Sequence, residues 1–190
     1  MTTIVAVKKN GFAAIAADTL TSWGNVTESA VHVTNHQKIV AYESNYFGIT
    51  GSSALKVIFE HWLSNTTNKP NFDSVQNIFS SWLAFHELLK SEYFVREYED
   101  EKDPFESSRV NLLIANPYGI FAVGALRTVI EYNTFTAFGS GFDISLGAMR
   151  ALYDNETASA ESIAKRAIEI AAEFDDGTGL PLNCCTVKLK

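Results

Sequence analysis

An α+β protein layered as helices, sheet, sheet, helices is what this sequence predicts, and three observations predict it. Strand-like segments come in blocks instead of alternating one for one with helices, which argues against a parallel sheet and for antiparallel sheets with segregated helices. Two pairs of amphipathic helices of similar size separate those blocks. With 190 residues, 46% of them hydrophobic, and no linker-like stretch, the chain can bury one sizeable core, so a single domain over residues 1–190 is expected.

The elements follow in order. Residues 2–7 are β-branched and apolar, Lys8-Lys9-Asn10-Gly11 is a turn, and residues 12–17 are apolar again, which reads as a hairpin. Residues 19–35, rich in Thr, Ser, Asn and Val, read as short exposed strands or a loop, followed by strands at 38–43 and 46–50. Gly51-Ser52-Ser53 opens a helix carrying Leu55, Ile58, Phe59, Trp62 and Leu63, and Pro70 lies in the break after it. Asp73 or Ser74 caps a second helix in which Ile78, Phe79, Trp82, Phe85 and Leu89 keep the helical period. The run Glu97-Tyr98-Glu99-Asp100-Glu101-Lys102-Asp103 reads as a solvated loop, with a docking patch as the rival reading. Strands return at 110–115, 120–125, 128–132 and 135–138. Helices follow around Ile144 to Leu152 and, capped by Ser159, around Ile163 to Ala171; residues 183–189 form the last strand.

Composition excludes several classes. The net charge of −7, with no basic cluster beyond Lys8-Lys9 and Lys165-Arg166, offers no footprint for nucleic acid or an anionic membrane. The two cysteines, Cys184 and Cys185, are adjacent and point to opposite faces of an extended chain, so a disulfide framework is not expected. The N-terminal residues lack the charged opening and apolar middle of a signal peptide, and a soluble, cytoplasmic protein is expected. There is no phosphate-binding loop, dinucleotide fingerprint, Gly-x-Ser-x-Gly elbow or paired-cysteine or His-Glu-x-x-His metal signature, and the four histidines are scattered.

The informative feature is Met1-Thr2. An initiator methionine before a small residue is commonly trimmed, which would leave a free threonine amine on a β-strand. Such an amine titrates at about 7.7–8.0, against about 10.4 for lysine, so the residue carries its own base. Its hydroxyl can pass its proton to that amine, directly or through one water.

Thr2-Thr3-Ile4-Val5-Ala6-Val7-Lys8-Lys9-Asn10-Gly11, then Ile15-Ala16-Ala17-Asp18, Lys38, and Gly48-Ile49-Thr50-Gly51 together resemble the catalytic segment of the HslV and proteasome β-subunit family. Gly139-Ser140-Gly141 is similar to the family's Gly-Ser-Gly, and Asp175-Asp176-Gly177-Thr178-Gly179 to its Asp-x-x-Ser-Gly, with Thr178 in place of the serine. The stretch between Asp18 and Lys38 is several residues longer than in HslV, and the polar residues 27–36 hold the insertion.

The resemblance implies a four-layer sandwich of the N-terminal-nucleophile hydrolase type. It also implies roles: Thr2 as nucleophile, Lys38 as the buried cation beside it, Asp18 as the partner of Lys38, and Ser140, Asp175 and Thr178 as the hydrogen-bonded support of the threonine amine. Gly48 would supply the oxyanion N–H. Thr21, Ser22 and Thr50 would contact the peptide backbone, and Val40 and Tyr46 would line the first side-chain pocket. Structural readings compete at each position: an ordinary ion pair for Asp18 and Lys38, a helix cap for Ser140, turn residues for Asp175 and Thr178, and a turn glycine for Gly48.

No cofactor is needed for this chemistry, although family members can bind a monovalent cation such as Na+ through carbonyl oxygens, here at Ala172, Asp175 and Thr178. The resemblance further implies a homo-oligomer of stacked rings, six or seven subunits each, acting on polypeptides. An ATP-dependent unfoldase partner stays open. Two rival readings remain, a small-molecule amidase of the same nucleophile class and a non-catalytic ring subunit.

Overall fold

The computed structural model describes residues 2–94 and 105–190. Met1 and the acidic run at 97–103 lie outside the described residues. One sheet has the strand order β10-β1-β2-β11, where β1 is Thr3–Lys9, β2 Phe12–Asp18, β10 Phe135–Gly139 and β11 Leu182–Lys188. The other has the order β5-β6-β7-β8-β9, from Ile39–Tyr42, Asn45–Thr50, Asn111–Asn116, Gly119–Val123 and Val129–Tyr132. Every pairing is antiparallel. The β1–β2 hairpin closes through Asn10 and Gly11, both at positive φ (50° and 78°), the mirror-image turn that matches the twist of its strands.

Three apolar layers hold the sandwich. Ile4, Ala6, Ile15, Leu113 and Ala122 pack between the two sheets. Val5, Val7, Ala14 and Ala16 face the opposite way, against Met149, Ile163 and Ile168 of helices α3 (Phe142–Tyr153) and α4 (Ala160–Phe174). Phe47, Leu112 and Phe121 face the helices α1 (Ser53–Asn65) and α2 (Val75–Ser91), meeting Phe59, Trp82 and Phe85. Strands β1 and β2 are therefore covered on both faces, which explains why they read as continuous apolar runs although the sheet is antiparallel. The four layers follow the predicted order.

Local chemistry sets the helix ends. Ser52 caps α1, Ser74 rather than Asp73 caps α2, and Ser159 and Ser162 form a reciprocal capping box on α4. Helix α3 begins at Gly141 without a side-chain cap, so Ser140 is not the helix cap that its position allowed. The polar stretch after Asp18 forms a separate hairpin, β3 (Thr21–Trp23) and β4 (Val26–Glu28). No helix among the described residues is long and apolar enough to cross a membrane.

Candidate active site

Asp18 ends β2 and is fully buried. Its Oδ1 accepts the Thr3 amide at 2.8 Å and Lys38 Nζ at 2.8 Å; its Oδ2 accepts the amides of Leu20 at 2.9 Å and Gly179 at 3.2 Å. Four donors on one carboxylate satisfy the group completely, which is what a buried charge requires. Lys38, immediately before β5, is 8% exposed and also donates to the Leu20 carbonyl at 2.6 Å. Burial lowers the proton affinity of its ammonium, and the charge and hydrogen bond of Asp18 work against that shift. The ion pair is thus not a surface contact. It ties the end of β2 to the approach to β5, with the Thr3 amide of β1 on the same carboxylate.

A second chain of hydrogen bonds supports the start of β1. The Gly141 amide donates to Thr3 Oγ1 at 2.9 Å, the Thr3 and Thr178 hydroxyls lie 2.5 Å apart, and the Thr178 hydroxyl donates to Asp175 Oδ2. Ser140 Oγ donates to the same carboxylate oxygen at 2.7 Å, and its amide to the Thr2 carbonyl at 2.9 Å. Burial raises the proton affinity of Asp175, but the bonds from Thr178, Ser140 and the Gly177 backbone outweigh it and hold the carboxyl below its usual range. Gly139 is required here: at φ +108°, a Cβ on it would stand 1.6 Å from the Thr2 carbonyl oxygen. Thr3 joins both networks and was given no role from sequence. The only signal for it was its place beside Thr2 on a buried strand.

Thr2, 8% exposed, opens with Lys38 onto a cavity of about 260 Å³. Thr21, Ser22 and Trp23 of β3 form one wall. Asn35, His36 and Gln37 form another, and Ile49, Gly51, Ser52, Ser53 and Lys56 complete it. Thr2, Lys38, Thr21 and Ser22 therefore line one cavity, with Asp18, Ser140, Asp175 and Thr178 in the hydrogen-bond networks behind it.

Four placements are corrected. Gly48 lies inside β6, paired with Ile39 and Leu113, where a Cβ would come within 2.4 Å of Ile4 Cγ2. Its glycine serves the close approach of the two sheets, and Gly51 is the glycine at the cavity. Val40 points into the layer against α1 and α2, because the pleat alternates faces, and Tyr46 packs at the inter-sheet layer. Thr50 directs its hydroxyl to the Asn111 carbonyl at 3.1 Å. None of these four lines the cavity. Ile49, His36 and Lys56 do, and only the spacing of Lys56 one turn beyond Ser52-Ser53 could have shown it. Ala172, Asp175 and Thr178 bracket the C-terminal end of α4, where partial negative charge on the last carbonyls favours cations, although the Asp175 carbonyl also accepts the Thr178 amide at 3.1 Å. No group of three or more His, Cys, Asp or Glu side chains suited to a metal occurs among the described residues.

Comparison with known proteins finds the same fold elsewhere. The structure of BPH from Thiobacillus denitrificans superposes with a TM-score of 0.93 at 44% identity, covering 99% of this chain and 98% of that one. A structure of the same protein in complex with epoxomicin matches with a TM-score of 0.93 at 43% identity over 99% of both chains. HslV from Trypanosoma brucei shares the fold, with a TM-score of 0.70 at 18% identity over 98% of this chain and 99% of that one. Among curated protein sequences no significant match is found. The family model described as "Proteasome subunit" matches residues 1–187, so the chain belongs to the proteasome subunit family.

Proposed function

We propose that the chain is the subunit of a threonine-type endopeptidase whose nucleophile is Thr2, exposed as the terminal residue by removal of Met1. The observation that carries the reading is the shared cavity of Thr2 and Lys38 above the buried Asp18 carboxylate. Thr2 Oγ1 attacks the peptide carbonyl while its proton passes to the Thr2 amine. The amine then protonates the leaving amine of the substrate, an acyl ester forms, and water assisted by the same amine releases the second product. The positive charge of Lys38 favours a neutral terminal amine, and Asp18 holds Lys38 in place. Ser140, Asp175 and Thr178 position the amine through their network with Thr2 and Thr3. The Gly51 backbone N–H, in place of Gly48, is the candidate donor to the developing oxyanion. An extended substrate would lie along Thr21 and Ser22 as an added strand.

The reading includes assembly as stacked rings of six or seven subunits that enclose Thr2. It leaves room for an ATP-dependent unfoldase at the ring entrance. A monovalent cation held by Ala172, Asp175 and Thr178 would brace the turn that carries Asp175.

Treatment of the trimmed, assembled protein with a threonine-directed epoxyketone, followed by peptide mapping, tests the mechanism. An adduct on Thr2 with loss of peptide cleavage is expected. Intact activity with no label on Thr2 overturns it, and retention of Met1 in the native protein supports the non-catalytic ring subunit instead. Thr2→Ala should abolish peptide cleavage, a fall of about 10³-fold or more, while particle size by light scattering stays unchanged.

A further inference from the structure

The cavity beside Thr2 has a charge character opposite to that of the whole molecule. The chain carries −7, yet among the described residues lining the cavity none is Asp or Glu, while His36, Lys38 and Lys56 all line it. Lys38 is engaged by Asp18. Lys56 is different. It stands in the first turn of α1, with its side chain 17% exposed, donating to the Asn35 carbonyl at 3.2 Å and lying 3.5 Å from Glu60. An ammonium has three N–H donors, so these contacts leave one for the cavity. A cation in the first turn of a helix also opposes the helix dipole, and no acidic residue there offsets it.

His36 lines the cavity too, with its Nε2 enclosed by protein. Its side chain is 13% exposed, and its buried Nε2 has no hydrogen-bond partner among the described residues; Glu28 stands 3.9 Å away, its carboxylate already accepting Trp23 Nε1 at 3.1 Å. Lys56 thus borders a cavity in which Thr21, Ser22, Ser52 and Ser53 add hydroxyls. An apolar side chain seated there would strip water from these groups and return no hydrogen bonds. A carboxylate accepts up to about four and takes the remaining Lys56 donor, sharing the ammonium with the 43%-exposed Glu60 side chain.

We infer that this cavity receives an acidic side chain, so that cleavage follows a Glu or Asp residue of the substrate, with Lys56 as the specificity-determining cation. This rests on the peptidase reading of Thr2. The test uses the trimmed, assembled protein and three fluorogenic peptides that differ only in the residue before the scissile bond: Glu, Leu or Arg. The wild type is expected to show a kcat/KM for Glu about tenfold or more above that for Leu or Arg. Lys56→Met, which keeps the aliphatic stem, should lower the Glu-to-Leu ratio about tenfold, and Lys56→Arg should restore most of it. Preference for Leu or Arg in the wild type, or an unchanged ratio in Lys56→Met, overturns the inference and leaves the peptidase reading standing. Failure to cleave any of the three, with no epoxyketone adduct on Thr2, overturns both.

Discussion

At the scale of single residues, the site depends on one carboxylate that answers four donors. Asp18 binds the Thr3, Leu20 and Gly179 amides and the Lys38 ammonium, so an amide in its place would turn an N–H toward N–H donors and leave a buried cation uncompensated. Asp18→Asn is expected to destabilise the fold by about 3–5 kcal/mol, the range seen when one partner of a buried ion pair is removed. Urea denaturation of the variant beside the wild type measures it; a change within about 0.5 kcal/mol would fit only a surface pair. Cys184 gives a pH prediction. Burial pushes its thiol up to about 12, so the folded state holds a proton that the unfolded chain releases near 9. Its contribution to stability is complete below pH 9 and is lost as pH rises toward 12. Cys184 should resist iodoacetamide at pH 8 in native protein and react in denaturant, as mass spectrometry of the alkylated peptide will show.

Between elements, aromatic packing joins the second sheet to its helices. Phe59 of α1 meets Phe47 of β6 at 5.1 Å and Phe85 of α2 at 5.3 Å, both edge to face, and is 1% exposed. Truncation at Phe59 removes contacts to a sheet and a second helix at once. Phe59→Ala should cost about 3–5 kcal/mol, read from the denaturation midpoint at unchanged slope. Element positions were legible in the sequence because each helix shows one apolar stripe and each hairpin carries its own turn chemistry. The faces of individual residues at the cavity were less so. Val40 and Gly48 lie on β5 and β6 at positions where a shift of one residue exchanges the helix layer for the inter-sheet layer, and no local pattern distinguishes those two apolar environments.

Across the whole molecule, the fold brings segments far apart in the chain to one end of a sandwich. The start of β1, the end of β2, the approach to β5, the β10–α3 corner and the turn after α4 all meet around Thr2 and Asp18. Family membership leads us to expect that the cavity faces the inside of a ring assembly. Light scattering of the trimmed protein should give a mass of twelve or fourteen chains, and a stable monomer with full peptidase activity would contradict the enclosed arrangement.

The sequence by itself determined the order of elements and the layer count, because hydrophobic period and turn residues are local signals, while the Asp18–Lys38 pair was implied by the family resemblance. Only the tertiary structure decided which glycine stands at the cavity, that Thr3 joins two hydrogen-bond networks, and that His36 and Lys56 border the site. Those facts depend on how sheets and helices approach one another, and side chains that meet across a cavity leave no mark on the spacing within either segment.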